Sequence, residues 1–162
     1  MANAQQLAWL ASMVPAAEAS AAVYGVPASV TLAQCILESA WGQSSLAVKA
    51  NNFFGIKSEG DGHYMSFPTH EYERGVMEEV EADFEAYPDA RSCFVDHARL
   101  LADAPRYAPA MAVKDDPAAF CTQLQACGYS TSPTYADMLQ TLIHCYNLGQ
   151  YDNVPQPSGD PQ

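Results

Sequence analysis

The stretch PASVTLAQCILESAW, residues 27–41, is apolar on almost every side and carries one charge, Glu38. Pro27 stands near a first helical position and Gly42 just past a last one, so the stretch predicts a buried central helix. Glu38 is the only charged residue between Glu18 and Lys49. At the C-terminal end of an apolar helix, two effects raise the pKa of a carboxyl group: burial disfavours the anion, and so does the negative end of the helix dipole. A carboxylic acid that stays protonated near neutral pH is what cleavage of a glycosidic bond requires. Position alone gives equal weight to a bland alternative, a helix-end glutamate that caps or pairs and reaches solvent. Gln34, Glu38 and Trp41 fall at i, i+4 and i+7, which puts an amide, an acid and a large aromatic on one helical face. Gln34 and Trp41 are therefore expected to bind substrate, since amides and aromatic rings are sugar-binding groups.

Outward from this helix the chain punctuates itself. Leu7, Leu10 and Val14 repeat at helical spacing and Pro15 follows, which predicts two short helices before Gly25. Residues 43–62 hold Asn51, Asn52, Gly55, Gly60 and Gly62 and read as loop, with one helical turn over 45–49. Val76, Glu78, Val80, Ala82 and Phe84 then alternate with Met77, Glu79, Glu81 and Asp83. A period of two predicts a strand, and Arg74-Gly75 predicts the turn of a hairpin. Phe94, Ala98 and Leu101 mark another helix, Asp116-Pro117 caps the next with Gly128 as its stop, and a last one is expected over 133–147. The fold class is thus α+β, mainly helical with a small antiparallel β-hairpin. Residues 1–150 are expected to form one domain, and the Pro-rich tail 151–162 to be disordered.

Composition narrows the function classes. The chain's 162 residues, nearly half of them hydrophobic, can bury a real core. A net charge of −12 argues against binding nucleic acid or an anionic membrane surface. The N-terminal residues lack a signal peptide's basic region, and no apolar run is expected to span a membrane. Cys35, Cys93, Cys121, Cys127 and Cys145 are odd in number and lack a CxxC pair, which predicts buried free thiols and synthesis in a reducing cytoplasm. His63, His70, His97 and His144 are scattered without an HExxH pair, so neither a metal nor any other cofactor is expected. Glycosidases place their second carboxylate on a separate element. Glu71, Glu73, Glu78 and Glu79 all lie in the predicted hairpin, and pattern alone does not choose among them. Tyr129 and Tyr135 flank a Gly-Tyr-Ser-Thr-Ser-Pro turn, where a hydroxyl can reach a sugar or simply lie at the surface.

Four segments carry a family resemblance in a fixed order: ILESAWGQSSLAVKANNFFGIK (36–57), PTHEYERG (68–75), FEAYPDARSCFVDHARLL (84–101) and CGYSTSPTYADML (127–139). Together, over about residues 26–148, they resemble the glucosaminidase domain of glycoside hydrolase family 73, a group of flagellar-rod peptidoglycan hydrolases, autolysins and phage lysins. The resemblance implies a lysozyme-like fold. It also implies hydrolysis of the β-1,4 bond between N-acetylglucosamine and N-acetylmuramic acid in bacterial peptidoglycan. By matching motifs it places the catalytic acid on Glu38, a hairpin carboxylate on Glu71, and a functional tyrosine on Tyr129, with Tyr135 as a second contact. The NNFFGIK segment, through Asn52 and Phe54, is implied to line the substrate groove. Ala40, Glu85, Ser132 and Met138 depart from the family's frequent residues. The expected picture is a monomer made without a signal peptide and acting on the cell wall. Its rivals are a lytic transglycosylase or muramidase on the same fold, or a non-catalytic wall-binding module.

Overall fold

Helix α2 (Ala28–Glu38) forms the axis of the molecule in the computed structural model, which describes residues 2–60 and 62–152, with the side chains of 71–73 left aside. Every residue from Ala28 to Ile36 is buried, as expected for a helix with no polar face. Pro27 offers no side-chain cap; instead Asp152, from the far end of the described chain, accepts the Ser29 N–H at 2.8 Å. This satisfies one of the orphan donors of a helix start.

Around α2 pack α1 (Ala4–Tyr24), α6 (Pro117–Ala126), α7 (Tyr135–Cys145) and a short 3-10 turn, Leu148–Tyr151. Helix α4 (Ala90–Asp103) lies against α1 and buries Cys93, Phe94, His97, Ala98 and Leu101. The shorter α3 (Ser45–Ala50) and α5 (Ala108–Met111) complete the helical part. Asp89 caps α4 by accepting the Ser92 N–H, and Asp116 caps α6 by accepting from Ala118 and Ala119, the sequence pattern expected at both places.

The N-terminal segment corrects two expectations. It is one helix, not two, because Pro15 costs a single intrahelical bond, while an Asn3–Gln6 capping box and the burial of Leu10, Val14 and Ala17 hold the turns on either side. Being continuous, α1 is also long and apolar enough to cross a membrane by length and composition, which no shorter segment would be. In this structure it packs against α2 and α4.

Strands β1 (Tyr64–Glu73) and β2 (Val76–Glu85) pair antiparallel from Tyr64↔Glu85 to Glu73↔Val76. Arg74 and Gly75, at φ 50° and 86°, make the two-residue turn with positive φ that suits the strand twist. The hairpin stands away from the core, with Val76 and Met77 more than half exposed, and is fastened at its base. Ser58 N–H donates to the Asp83 carbonyl, Glu85 N–H to that of Ile56, and Tyr87 N–H to that of Ala50. The thiols are free, with Cys35, Cys93 and Cys121 buried, Cys127 half-buried and Cys145 exposed, so burial holds for three of the five. The expected tail from residue 153 onward lies outside the described residues.

Candidate active site

Glu38 is the last residue of α2 because the chain leaves the helix at once. Ala40, Trp41 and Gly42 follow at φ 50°, 60° and 73°, a left-handed run that no α-helix continues through. Glycine is obligatory at 42, where a Cβ would stand 2.3 Å from the Trp9 indole nitrogen. The half-buried Glu38 opens into a cleft of about 490 Å³ whose walls include Phe54, Ile56, Lys57, His97, Tyr129 and Tyr135.

Two tyrosines hold its carboxyl group. Tyr135 Oη donates to Oε1 at 2.7 Å and Tyr129 Oη to Oε2 at 3.2 Å; their rings stack with centroids 5.5 Å apart. Tyr135 opens α7, whose Ala136 N–H is capped by Gln125 of α6 at 2.8 Å. Tyr129 follows the left-handed Gly128, and Arg106 fixes that turn by donating to the Cys127 and Gly128 carbonyls at 3.0 and 2.7 Å. Ser132, a departure from the family's frequent aspartate, still accepts the Thr134 N–H as a short polar side chain in a turn does.

Burial pushes the Glu38 carboxyl up to about 8, while the hydrogen bonds from Tyr135 and Tyr129 pull the other way. Burial wins, so at neutral pH the group is a carboxylic acid with two donors waiting for the anion. Burial raises both tyrosines as well, and the adjacent Glu38 charge adds to this, so their hydroxyls remain protonated. Among the described residues no group of three or more His, Cys, Asp or Glu is placed to hold a metal.

The predicted site residues separate into two sets. Glu38, Phe54, Tyr129 and Tyr135 meet around the cleft. Gln34 is fully buried behind Tyr135, to which it donates at 3.0 Å, and is not open to a sugar. Asn52 is 1% exposed and donates to the Ile56 and Glu85 carbonyls at 2.9 Å each, so it ties the hairpin base to the cleft loop. Trp41 leaves the Glu38 face altogether, since α2 ends before it; its ring packs edge-on to Tyr146 and Trp9. The shared-face reading assumed a helix that ran three residues further. Glu71 pairs with Glu78 near the hairpin tip; its side chain lies outside the described set. Sequence reasoning passed over His97 and Lys57. His97 carried a signal: it sits three residues after Phe94 and four before Leu101, on the buried stripe of α4.

Comparison with known proteins gives the family of the chain. The profile of the glucosaminidase family, described as mannosyl-glycoprotein endo-beta-N-acetylglucosaminidase, matches residues 14–148. The chain is 39% identical to the exo-glucosaminidase LytG of Bacillus subtilis over 81% of its own length and 48% of that protein's. It is 36% identical to the peptidoglycan hydrolase FlgJ of Vibrio parahaemolyticus over 78% of its length and 42% of that protein's. The chain thus spans about half the length of these relatives. Its fold superposes on the catalytic domain of the autolysin Auto from Listeria monocytogenes with a TM-score of 0.85 and 32% identity, covering 94% of this chain and 90% of that one. By profile, sequence and fold, this chain belongs to the glucosaminidase family of glycoside hydrolases.

Proposed function

We propose that the chain is a peptidoglycan hydrolase, with residues 1–150 as its catalytic domain, that cleaves the β-1,4 bond between N-acetylglucosamine and N-acetylmuramic acid. The observation that carries this reading is Glu38 at the cleft, its pKa raised to about 8 by burial and both its oxygens held by tyrosine hydroxyls. In the reaction Glu38 gives its proton to the glycosidic oxygen as the bond to the sugar's anomeric carbon breaks. The negative charge left on Glu38 is met by hydrogen bonds from Tyr129 and Tyr135 that are already in place, so little reorganisation is needed when the proton leaves. Tyr129 and Phe54 face the cleft as contacts for the sugar ring and its oxocarbenium-like charge.

Glu71 is the proposed partner carboxylate. It stands on β1, roughly 23 Å of strand from Tyr64 at the hairpin base, and in this reading its role is to activate a water for attack on the anomeric carbon. The substrate's own 2-acetamido group is the other available nucleophile, and Glu71 then orients it. The place of action is the bacterial cell wall, in keeping with relatives named peptidoglycan hydrolase and autolysin.

Digestion of purified peptidoglycan followed by mass spectrometry tests the reading. New reducing N-acetylglucosamine ends are expected from the wild type, at least a hundredfold fewer from Glu38→Gln, and a strong loss from Glu71→Gln. Anhydro-muramic ends would instead identify a lytic transglycosylase, and undiminished cleavage by Glu38→Gln would remove Glu38 from the chemistry.

A further inference from the structure

Behind each tyrosine that holds Glu38 stands a buried nitrogen. Gln34 Nε2 donates to Tyr135 Oη at 3.0 Å, and His97 Nε2 lies 3.1 Å from Tyr129 Oη. Gln34 is 0% and His97 1% exposed. A phenol has one proton to give. A hydroxyl that accepts an N–H from behind must turn that proton forward, onto Glu38.

Two of the buried side-chain atoms without a partner are Gln34 Oε1 and His97 Nδ1. An orphaned buried N–H is rarer and costlier than an under-satisfied acceptor. Leaving these two atoms as bare acceptors is therefore the less costly arrangement, and it puts the N–H groups of both residues on the tyrosines. For His97 this selects the tautomer protonated at Nε2. Its ring is held flat against Phe54, with centroids 3.9 Å apart and planes at 17°. Burial pushes its pKa down to about 3, with Asp96 opposing, so it stands at the site as a neutral donor.

We propose that Gln34 and His97 are positioning residues that fix the direction of hydrogen bonding on both sides of Glu38, from N–H to phenol to carboxyl oxygen, and so turn the acid's proton toward the cleft. This rests on the reading of Glu38 as the general acid. With both carboxyl oxygens accepting from tyrosines, the proton of the acid form points at the glycosidic oxygen. If Gln34 presented its Oε1 instead, or His97 an unprotonated Nε2, the tyrosine concerned would donate backward, and the Glu38 proton would be drawn onto that phenol, away from substrate.

Among the described residues, the titratable groups that interact with Glu38 or line its cleft are Cys35 on its own helix, Cys93 and His97 on α4, Tyr107, Tyr129, Tyr135 and Lys57. Burial raises the two thiols and Tyr107 and lowers His97. The alkaline limb of the activity profile therefore reports Glu38.

The test has a wild-type arm and a variant arm. In wild-type protein labelled with ¹⁵N-histidine, His97 should show the neutral tautomer protonated at Nε2 from pH 6 to 8; the Nδ1–H tautomer overturns the proposal. In the variant arm, reducing ends released from peptidoglycan are followed against pH. His97→Phe keeps the ring against Phe54 and Gln34→Met keeps the length, and each removes the donor. Each should lower kcat by about tenfold, the equivalent of one net hydrogen bond, and move the alkaline limb upward by about half a unit, because a donor to the anion is weakened. His97→Gln restores an N–H and should bring both readouts back toward wild type. A fall in Tm and activity with the limb unmoved is the signature of a purely structural role and contradicts the proposal. Failure of the underlying reading looks different: wild type then has no limb near pH 8, or Glu38→Gln stays active.

Discussion

Glu38 owes its chemistry to a contest between burial and two hydroxyls, and burial wins. The sign of the pH dependence follows. The acid form is the active one, so cleavage should hold steady below neutral pH and fall as pH rises through about 8, measured as reducing ends released per minute. Stability obeys the same linkage. The folded-state pKa of Glu38 lies above its ordinary value of 4.5, so its favourable contribution is fully present below about 4.5 and is lost as pH rises through about 8. Glu38→Gln, which carries no titrating group, should therefore gain in Tm relative to wild type between pH 5 and 8; a constant difference would contradict a raised pKa. Tyr135→Phe removes the 2.7 Å donor to Oε1, and should both cut kcat and move the alkaline limb upward. At this scale the sequence was informative where a residue violated its surroundings. One charge in an apolar helix marks itself, whereas Gln34 looked like a sugar ligand because an amide in a buried stretch has no visible partner until Tyr135 is folded against it.

The end of α2 decides where Glu38 stands. Ala40 adopts a left-handed conformation that costs a non-glycine residue about 1–2 kcal/mol, and it is exposed, with room for any change. Ala40→Gly relieves that strain at an entropic cost of about 0.4–1 kcal/mol. A net gain of about 0.5–1 kcal/mol is expected in denaturant unfolding. Gly42→Ala meets both the same strain and the Trp9 ring, and should lose about 2 kcal/mol or more. Periodicity alone could place this helix but not end it, because the three successive positive φ angles fall on Ala40 and Trp41 before they reach a glycine. The hairpin was the opposite case: strict alternation over 76–84 and an Arg-Gly step were enough to place the second strand and the turn before it, and the two strands do pair about Arg74 and Gly75. Pro15 misled for a third reason, since a proline's cost is local and the packing of α1 on α2 and α4 outweighs it.

Over the whole molecule, the site is a meeting of segments far apart in the chain: α2 brings Glu38, α4 brings His97, the turn after α6 brings Tyr129 and α7 brings Tyr135. No local pattern announces such a convergence; the family's ordered motifs do, because their order encodes the fold. The same long reach supports the site helix from behind. Asp152 caps α2 across 123 residues, so Asp152→Ala should cost about 1 kcal/mol while Asp152→Asn costs little, measured by thermal unfolding. The raised pKa of Glu38 is itself a property of the assembled fold, since the burial that produces it comes from all these elements together. Its direct measurement is the carboxyl ¹³C shift of Glu38 in protein labelled with ¹³C-glutamate, assigned by its loss in Glu38→Gln and followed from pH 4 to 10. A midpoint at about 8 is the expected result; titration near the ordinary 4.5 would contradict a general acid built by burial.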